Sequence, residues 1–244
     1  MQPSGLPATK PPTESVGLAP AGGLLLVDKP AGITSHDVVL IARRVYGERS
    51  IGHLGTLDPF ATGLLVLLLG RSTRLATFLD TEPKTYEAVI SYGRETETDD
   101  ATGETTREAA PPSATAVKTA IAQLTGPISQ LPPAYSAKSV DGTRAYDAAR
   151  RGEPLELTAV VVTVHEWNVR EMLEQSLTAE IVCSGGTYIR ALARDLGRLS
   201  ASAAHLSALR RTAIGNFNVR DAYTLDALRE NAPALTPLRV VAGD

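Results

Sequence analysis

The longest apolar run in the chain is Leu64-Leu65-Val66-Leu67-Leu68-Leu69. It is far too short to span a bilayer. It reads as a short, very apolar strand that needs dry surroundings. The chain enters it from Gly52 to Gly63, a loop punctuated by glycine. That loop and that strand together set the frame for the other elements.

A chain of 244 residues holds one large domain, or one domain plus a small appendage. With 43% hydrophobic and 21% charged residues it is an ordinary globular sequence. A formal charge of -3 argues against a generic basic nucleic-acid binder. The single cysteine, Cys183, excludes an intrachain disulfide. With only four histidines it also excludes the usual zinc frameworks, so no metal is expected. No basic-then-apolar segment opens the chain. The expectation is a cytoplasmic protein with no membrane association.

Residues Met1 to Gly23 are interrupted by Pro3, Pro7, Pro11, Pro12 and Pro20 and read as a mobile tail, assigned as residues 1–22. Leu24 to Val27 predicts a strand. Ser35 is the expected N-cap of a helix running to about Tyr46. Ser72 is expected to cap a short helix through Leu79. Lys84 to Gly93 alternates, with Tyr86, Ala88, Ile90 and Tyr92 on one face of a strand. Arg94 to Pro112 reads as a solvated acidic loop. Helices are expected at Ala114 to Leu124, Arg144 to Arg151, after Gly185-Gly186, at Ala203 to Arg211 and at Leu225 to Glu230. Leu157 to Val169 and Ser176 to Ser184 read as paired strands, with a last strand at Phe217 to Val219. The mixture lacks strict βαβ alternation, so the class is α+β with a largely antiparallel sheet.

Within the Gly52 to Gly63 loop, Asp58-Pro59 is the chemical feature. Pro59 pushes Asp58 out of helical geometry, so one carboxylate is mounted on a stiffened loop beside the apolar strand. Asp-Pro and Ala-Thr-Gly are also ordinary turn chemistry. His53 lies five residues earlier, and a lone histidine is more often structural than a substrate contact.

The wider pattern resembles the TruB family of tRNA pseudouridine synthases. The loop matches the family motif through Gly52, His53, Gly55, Thr56, Leu57, Asp58, Pro59, Ala61, Thr62 and Gly63, with Leu54 as a departure. Further matches are Lys29 to Ser35, Lys84-Thr85-Tyr86, Gly93 to Gly103, Pro132 to Ala137 with Tyr146 and Arg150, Cys183 to Arg190, and Leu209 to Thr212. They occur in order over about residues 24 to 220.

The resemblance implies a pseudouridine synthase fold over residues 23–225 and an isomerase acting on uridine-55 in the T arm of tRNA. It implies no cofactor. Asp58 would be the nucleophile, and attack at C6, attack at C1′ and a glycal route all need it ionised. Arg190 would pair with that charge, overriding the mild penalty of a cation at a helix start. Tyr86 would stack on the uracil, and an ordinary phenol pKa of about 10 makes it a poor base at neutral pH. Tyr188 and Leu209 would complete an apolar pocket. His53 would fill the gap left by the extruded uridine. Lys29, Arg150 and Arg211 would contact substrate or RNA. More broadly, Lys138, Arg144, Arg150, Arg151, Arg190, Arg194, Arg198, Arg210, Arg211 and Arg220 would form a basic surface for phosphates.

The partner is then a tRNA T-arm stem-loop, bound by a monomer with no obligate protein partner. Residues 226–244 are expected to be a short C-terminal remnant without the family's PUA domain, with weaker contacts to the tRNA acceptor end. The alternatives are an RNA-folding chaperone with secondary catalysis and a dyskerin-like, guide-RNA-dependent synthase. A glycosidase would need a second placed carboxylate, which no motif near Asp58 supplies.

Overall fold

The computed structural model describes residues 22–136, 138–140, 142–153 and 155–237. In chain order the strands and helices are β1 (Gly22–Lys29), α1 (Ser35–Tyr46), β2 (Ile51–Leu54), β3 (Thr62–Gly70), β4 (Lys84–Tyr92), β5 (Arg94–Thr96) and β6 (Thr105–Glu108). They continue with α2 (Ala114–Gln123), β7 (Gly126–Gln130), β8 (Ser139–Val140), β9 (Thr143–Arg144), α3 (Ala145–Arg150), β10 (Val160–Met172) and β11 (Ser176–Cys183). Last come α4 (Ile189–Leu199), β12 (Ala204–Ile214), β13 (Phe217–Asn218), β14 (Tyr223–Thr224) and α5 (Leu225–Glu230). Residues 1–21 of the expected tail lie outside the described residues, and Gly22 already pairs within β1.

One sheet runs β14-β1-β3-β12-β4-β11-β10-β7, with β2 alongside β3 and β13 alongside β12. The β1–β14 and β3–β12 contacts are parallel and the others antiparallel. The fold is therefore α+β with a largely antiparallel sheet, as expected. Leu64 to Leu69 form the interior of β3 and are 0–1% exposed. They are shielded because β1 and β2 pair with β3 and β12 also joins it. One core joins Leu25, Val27, Leu65 and Leu67 to Val38, Val39 and Ala42 of α1 and Leu228 of α5. A second joins Tyr86, Ala88, Ile90 and Ile181 to Val117 of α2 and to Ile189, Leu192 and Leu196 of α4. No helix among the described residues is long and apolar enough to cross a membrane.

Several expectations need correction. The Ala203 to Arg211 stretch is not a helix, and all of it but Ala203 lies in strand β12. Its Ala, Leu and Arg content favours helix locally, but it lies between β3 and β4. Bulges at Leu206/Ala208 and Arg211/Ala213 break its two-residue period. The Gly52 to Gly63 segment begins as strand β2 before it becomes a loop. Arg71–Phe78 is a 3-10 helix without a side-chain cap, so Ser72 does not cap it.

Ser35 is not the N-cap of α1. Thr34 is, in a reciprocal capping box with Asp37. Arg94 to Pro112 is not a solvated loop but a β5–β6 hairpin whose Glu95, Asp99 and Asp100 are buried. Those carboxylates are held by a ladder on α4. Arg190 faces Asp100 at 3.6 Å, Arg194 faces Asp99 at 2.9 Å and Arg198 faces Glu95 at 2.8 Å. Successive four-residue steps place the three guanidinium groups on one helix face.

Candidate active site

The segment between β2 and β3 carries Asp58, and four neighbouring residues fix it from below. The Ser35 hydroxyl donates to the Leu57 carbonyl at 3.1 Å and accepts from the Leu57 amide at 2.9 Å. The Pro59 carbonyl accepts from the Gly32 amide at 2.8 Å and from the Lys29 ammonium at 3.3 Å. Arg211 donates to the carbonyls of Gly55 at 2.9 Å and Leu64 at 2.8 Å. Gly63 permits the close approach of β3 to β12. It has φ +101°, and any Cβ there would overlap the Arg211 backbone. Asp58 therefore sits on a loop pinned on both sides of it.

The second α4 residue, Arg190, is only 5% exposed. Its Nε lies 2.9 Å from Oδ2 of Asp58, and its Nη2 donates to Oδ1 at 3.1 Å. Nη1 donates to the Thr98 carbonyl and Nη2 also donates to the Tyr135 carbonyl, both at 2.8 Å. The guanidinium fork thus has carbonyl and carboxylate partners around its plane, which fixes its orientation. Asp100 adds a second carboxylate and is itself held by the hydroxyls of Thr98 and Thr102.

Asp58 and Arg190 line a cavity of about 420 Å³, together with Lys84, Tyr86, Tyr188, Leu209 and Arg211. That volume suits a single nucleoside-sized ligand. Tyr86 is buried in the wall, and burial raises its phenol pKa against the opposing charge of Arg211. Its hydroxyl therefore stays protonated at neutral pH, and its ring is the available surface. Burial also raises the Tyr188 phenol. The backbone of Tyr188 is clamped by the fully buried Gln130, whose amide donates to its carbonyl at 3.2 Å and accepts from its N–H at 2.9 Å.

The structure thus gathers Asp58, Tyr86, Tyr188, Arg190, Leu209 and Arg211 around one cavity. The remaining expected site residues lie elsewhere. Arg150 is exposed, stacks over the Tyr146 ring at 4.6 Å, and lines an adjoining 240 Å³ cavity that also reaches Asp58. His53 lies half-buried on β2 outside the cavity lining, and burial followed by the Arg211 charge lowers its pKa. Lys29 is 0% exposed and offers RNA no surface. Its ammonium is consumed by the carbonyls of Pro30, Ile33 and Pro59.

The expected basic surface is also smaller than its sequence suggests. Arg190, Arg194 and Arg211 are buried, Arg198 pairs with Glu95, and Arg210 pairs with Asp28 at 2.7 Å. Lys138, Arg150, Arg151 and Arg220 remain exposed, and the side chain of Arg144 lies outside the described residues. Composition alone does not reveal Gln130, Asp100 or the Ser35 clamp as site supports. The repeat Arg190, Arg194, Arg198 was a readable signal that carboxylates would be found opposite α4.

Two family models cover most of the chain. That described as "TruB family pseudouridylate synthase (N terminal domain)" matches residues 43–189. That described as "tRNA pseudouridylate synthase B C-terminal domain" matches residues 190–236. A relative named tRNA pseudouridine synthase B from Leifsonia xyli subsp. xyli is 50% identical, over 88% of this chain and 74% of its own length. One of the same name from Thermobifida fusca is 49% identical, over 85% and 74%. Among solved structures, a chain of a "Cbf5-Nop10-Gar1 Complex" superposes with a TM-score of 0.66 at 27% identity. That match covers 85% of this chain and 54% of the other, so this chain spans about half the length of the solved structure.

Proposed function

Because the chain belongs to the TruB family of pseudouridylate synthases, we propose that it isomerises uridine-55 in the T arm of tRNA to pseudouridine, acting alone in the cytoplasm. The observation that carries this reading is the Asp58–Arg190 pair facing the Tyr86 ring across one cavity. The reaction breaks the N1–C1′ bond, turns the uracil and joins C5 to C1′, with the C5 proton lost and N1 taking up a proton. Its atoms balance without an oxidant or reductant.

Each residue has a definable part. Asp58 supplies the nucleophilic carboxylate on a loop that cannot drift, which is the positional requirement of covalent catalysis. Arg190 orients the carboxylate through two contacts. Tyr86 stacks on the uracil as the base turns, since its protonated phenol is unsuited to taking the C5 proton at neutral pH. Tyr188 and Leu209 exclude water from the opposite wall. The uridine must leave the RNA stack to reach Asp58, at a cost of a few kcal/mol that a bent loop reduces. His53, on β2 beside the catalytic loop, is assigned to the space the base vacates.

Tritium release from 5-tritiated uridine in a T-arm stem-loop tests the reading directly. Release with no guide RNA present supports it. Release only with a guide RNA would favour the dyskerin-like alternative, and binding without release would favour an RNA-folding role.

A further inference from the structure

Lys84 opens β4 two residues before Tyr86, so both side chains lie on the same face of the strand. It is half-buried and lines the cavity, yet among the described residues its ammonium makes no hydrogen bond or ion pair. Every other buried cation near the cavity is committed. Arg190 serves Asp58 and Asp100, while Lys29 and Arg211 serve backbone carbonyls.

The space around that ammonium is kept open by glycine. A Cβ at Gly55 would stand 3.7 Å from Nζ of Lys84, whereas one at Gly185, 3.4 Å from Nζ, would first meet the Glu82 carboxylate at 2.5 Å. The same Cβ at Gly55 would be 3.3 Å from Nη1 of Arg211. Gly55 is at φ +76°, where side chains are disfavoured in any case. Two cations therefore meet beside Gly55, with the Glu82 carboxylate on the Gly185 side. The carboxylate facing Lys84 is that of Glu82, which is exposed and makes no ion pair with it.

The charge across the cavity is consequently uneven. Asp58, Arg190 and, behind them, Asp100 form one cluster, a formal charge of -1 from two carboxylates and one guanidinium. Lys84 and Arg211 form a second cluster beside Gly55, with the exposed Glu82 the carboxylate nearest Lys84. A uracil ring is neutral and needs no such cluster, whereas a nucleotide brings a phosphate with a permanent negative charge. Tyr86 is the first buried residue of β4, two residues in from the half-buried Lys84, so a base on Tyr86 leaves the backbone of its nucleotide toward Lys84.

We infer that Lys84 is a positioning residue that grips a phosphate flanking the extruded uridine, with Gly55 keeping the approach clear. The inference rests on the synthase reading above. Closing one charge-assisted contact at the rim, as the base stacks inside, would fix the sugar between Asp58 and Tyr86.

The test uses the full chain and T-arm stem-loops that carry a neutral methylphosphonate at one or other phosphate flanking the target uridine. The readout is kcat/KM by tritium release. For the wild type, neutralising one of these phosphates should lower kcat/KM about tenfold, the scale of one charge-assisted hydrogen bond. Lys84→Met should show a similar loss on unmodified RNA and little further loss on the modified one. Lys84→Arg should recover most of the rate and retain the penalty. If Lys84→Met does not fold, as judged by its melting curve, Lys84→Gln takes its place.

Wild-type indifference to both modifications would overturn the inference. So would a Lys84 variant that is slow yet suffers the full additional penalty, since the two losses would then be independent. Absence of turnover by the wild type on unmodified RNA would instead defeat the synthase reading on which the inference depends.

Discussion

Nε of Arg190 lies 2.9 Å from Oδ2 of Asp58, while Nη2 of the same guanidinium donates to Oδ1 at 3.1 Å. The two residues are far apart in sequence, and the exposure of their side chains differs sharply, at 5% for Arg190 and 35% for Asp58. The arginine is the fixed member and the carboxylate is the one open to a substrate. This asymmetry is what a nucleophile requires, because orientation comes from a buried partner while one face stays free.

Asp58→Asn keeps the shape of the side chain and removes its charge. Stem-loop affinity should stay close to wild type, because the RNA surface is untouched. Single-turnover isomerisation should drop well below about a tenth of the wild-type rate, since an amide does not serve as the nucleophile. Paired binding and quench-flow measurements decide this, and a fast Asn variant would remove Asp58 from the mechanism.

Arg190→Met keeps much of the stem but strips Asp58 of its partner. The single-turnover rate should fall, because the carboxylate loses the fork that orients it. Stability should fall by about 3 kcal/mol, the lower end for a broken buried pair, because Asp100 keeps its bonds from Thr98 and Thr102. Arg190→Lys should recover stability better than rate, as it restores charge without the planar fork. Single-turnover rates of both variants equal to the wild type would show that the pair is not used.

The neighbours Thr34 and Ser35 separate helix capping from loop anchoring. Thr34→Ala removes the α1 cap and should cost about 1 kcal/mol with little change in rate. Ser35→Ala leaves the Leu57 amide and carbonyl without their buried partner, at about 1–3 kcal/mol. Because Leu57 precedes Asp58, the Ser35 variant should also lose rate. Urea melts and single-turnover rates on both variants test the distinction, and equal rates would contradict it.

The strands that alternate or run fully apolar, β3 and β4, were legible because burial and residue type agree there. The β12 strand was not, since a strand buried between two others loses its polar face and its bulges mimic helical spacing. Residue types and their resemblance to a known motif sufficed to bring Asp58, Tyr86 and Arg190 together. They did not reveal where charges go. Lys29 and Arg211 read as surface cations, yet both are buried and satisfied by backbone carbonyls of distant segments. Likewise Asp99 and Asp100 read as a solvated acidic run, because their arginines lie far along the chain on α4. Long-range partners of charged groups are a property of topology, and local composition carries little trace of them.

Lys29 provides a prediction that depends on this topology. It is fully buried beneath the catalytic loop, and burial is the main cause that lowers its pKa from 10.5 to about 8, opposed by the charge of Asp58. Between about pH 8 and 10.5 the folded protein has released this proton while the unfolded chain still holds it. The unfolded state then binds more protons, so stability attributable to Lys29 rises with pH across that window. At neutral pH the buried ammonium is charged and relies on the carbonyls of Pro30, Ile33 and Pro59. Lys29→Met removes both the charge and its titration. The difference in stability between wild type and variant should therefore shift in favour of the wild type as pH rises from 8 to 10. At neutral pH the variant should turn over more slowly, because the Pro59 carbonyl loses a donor and the segment bearing Asp58 loosens. Urea denaturation of both proteins from pH 7 to 10, alongside single-turnover rates at pH 7.5, measures the two effects separately. A pH-independent difference would mean that the ammonium does not titrate in this range, and an unchanged rate would mean that Lys29 supports the fold without steadying the nucleophile.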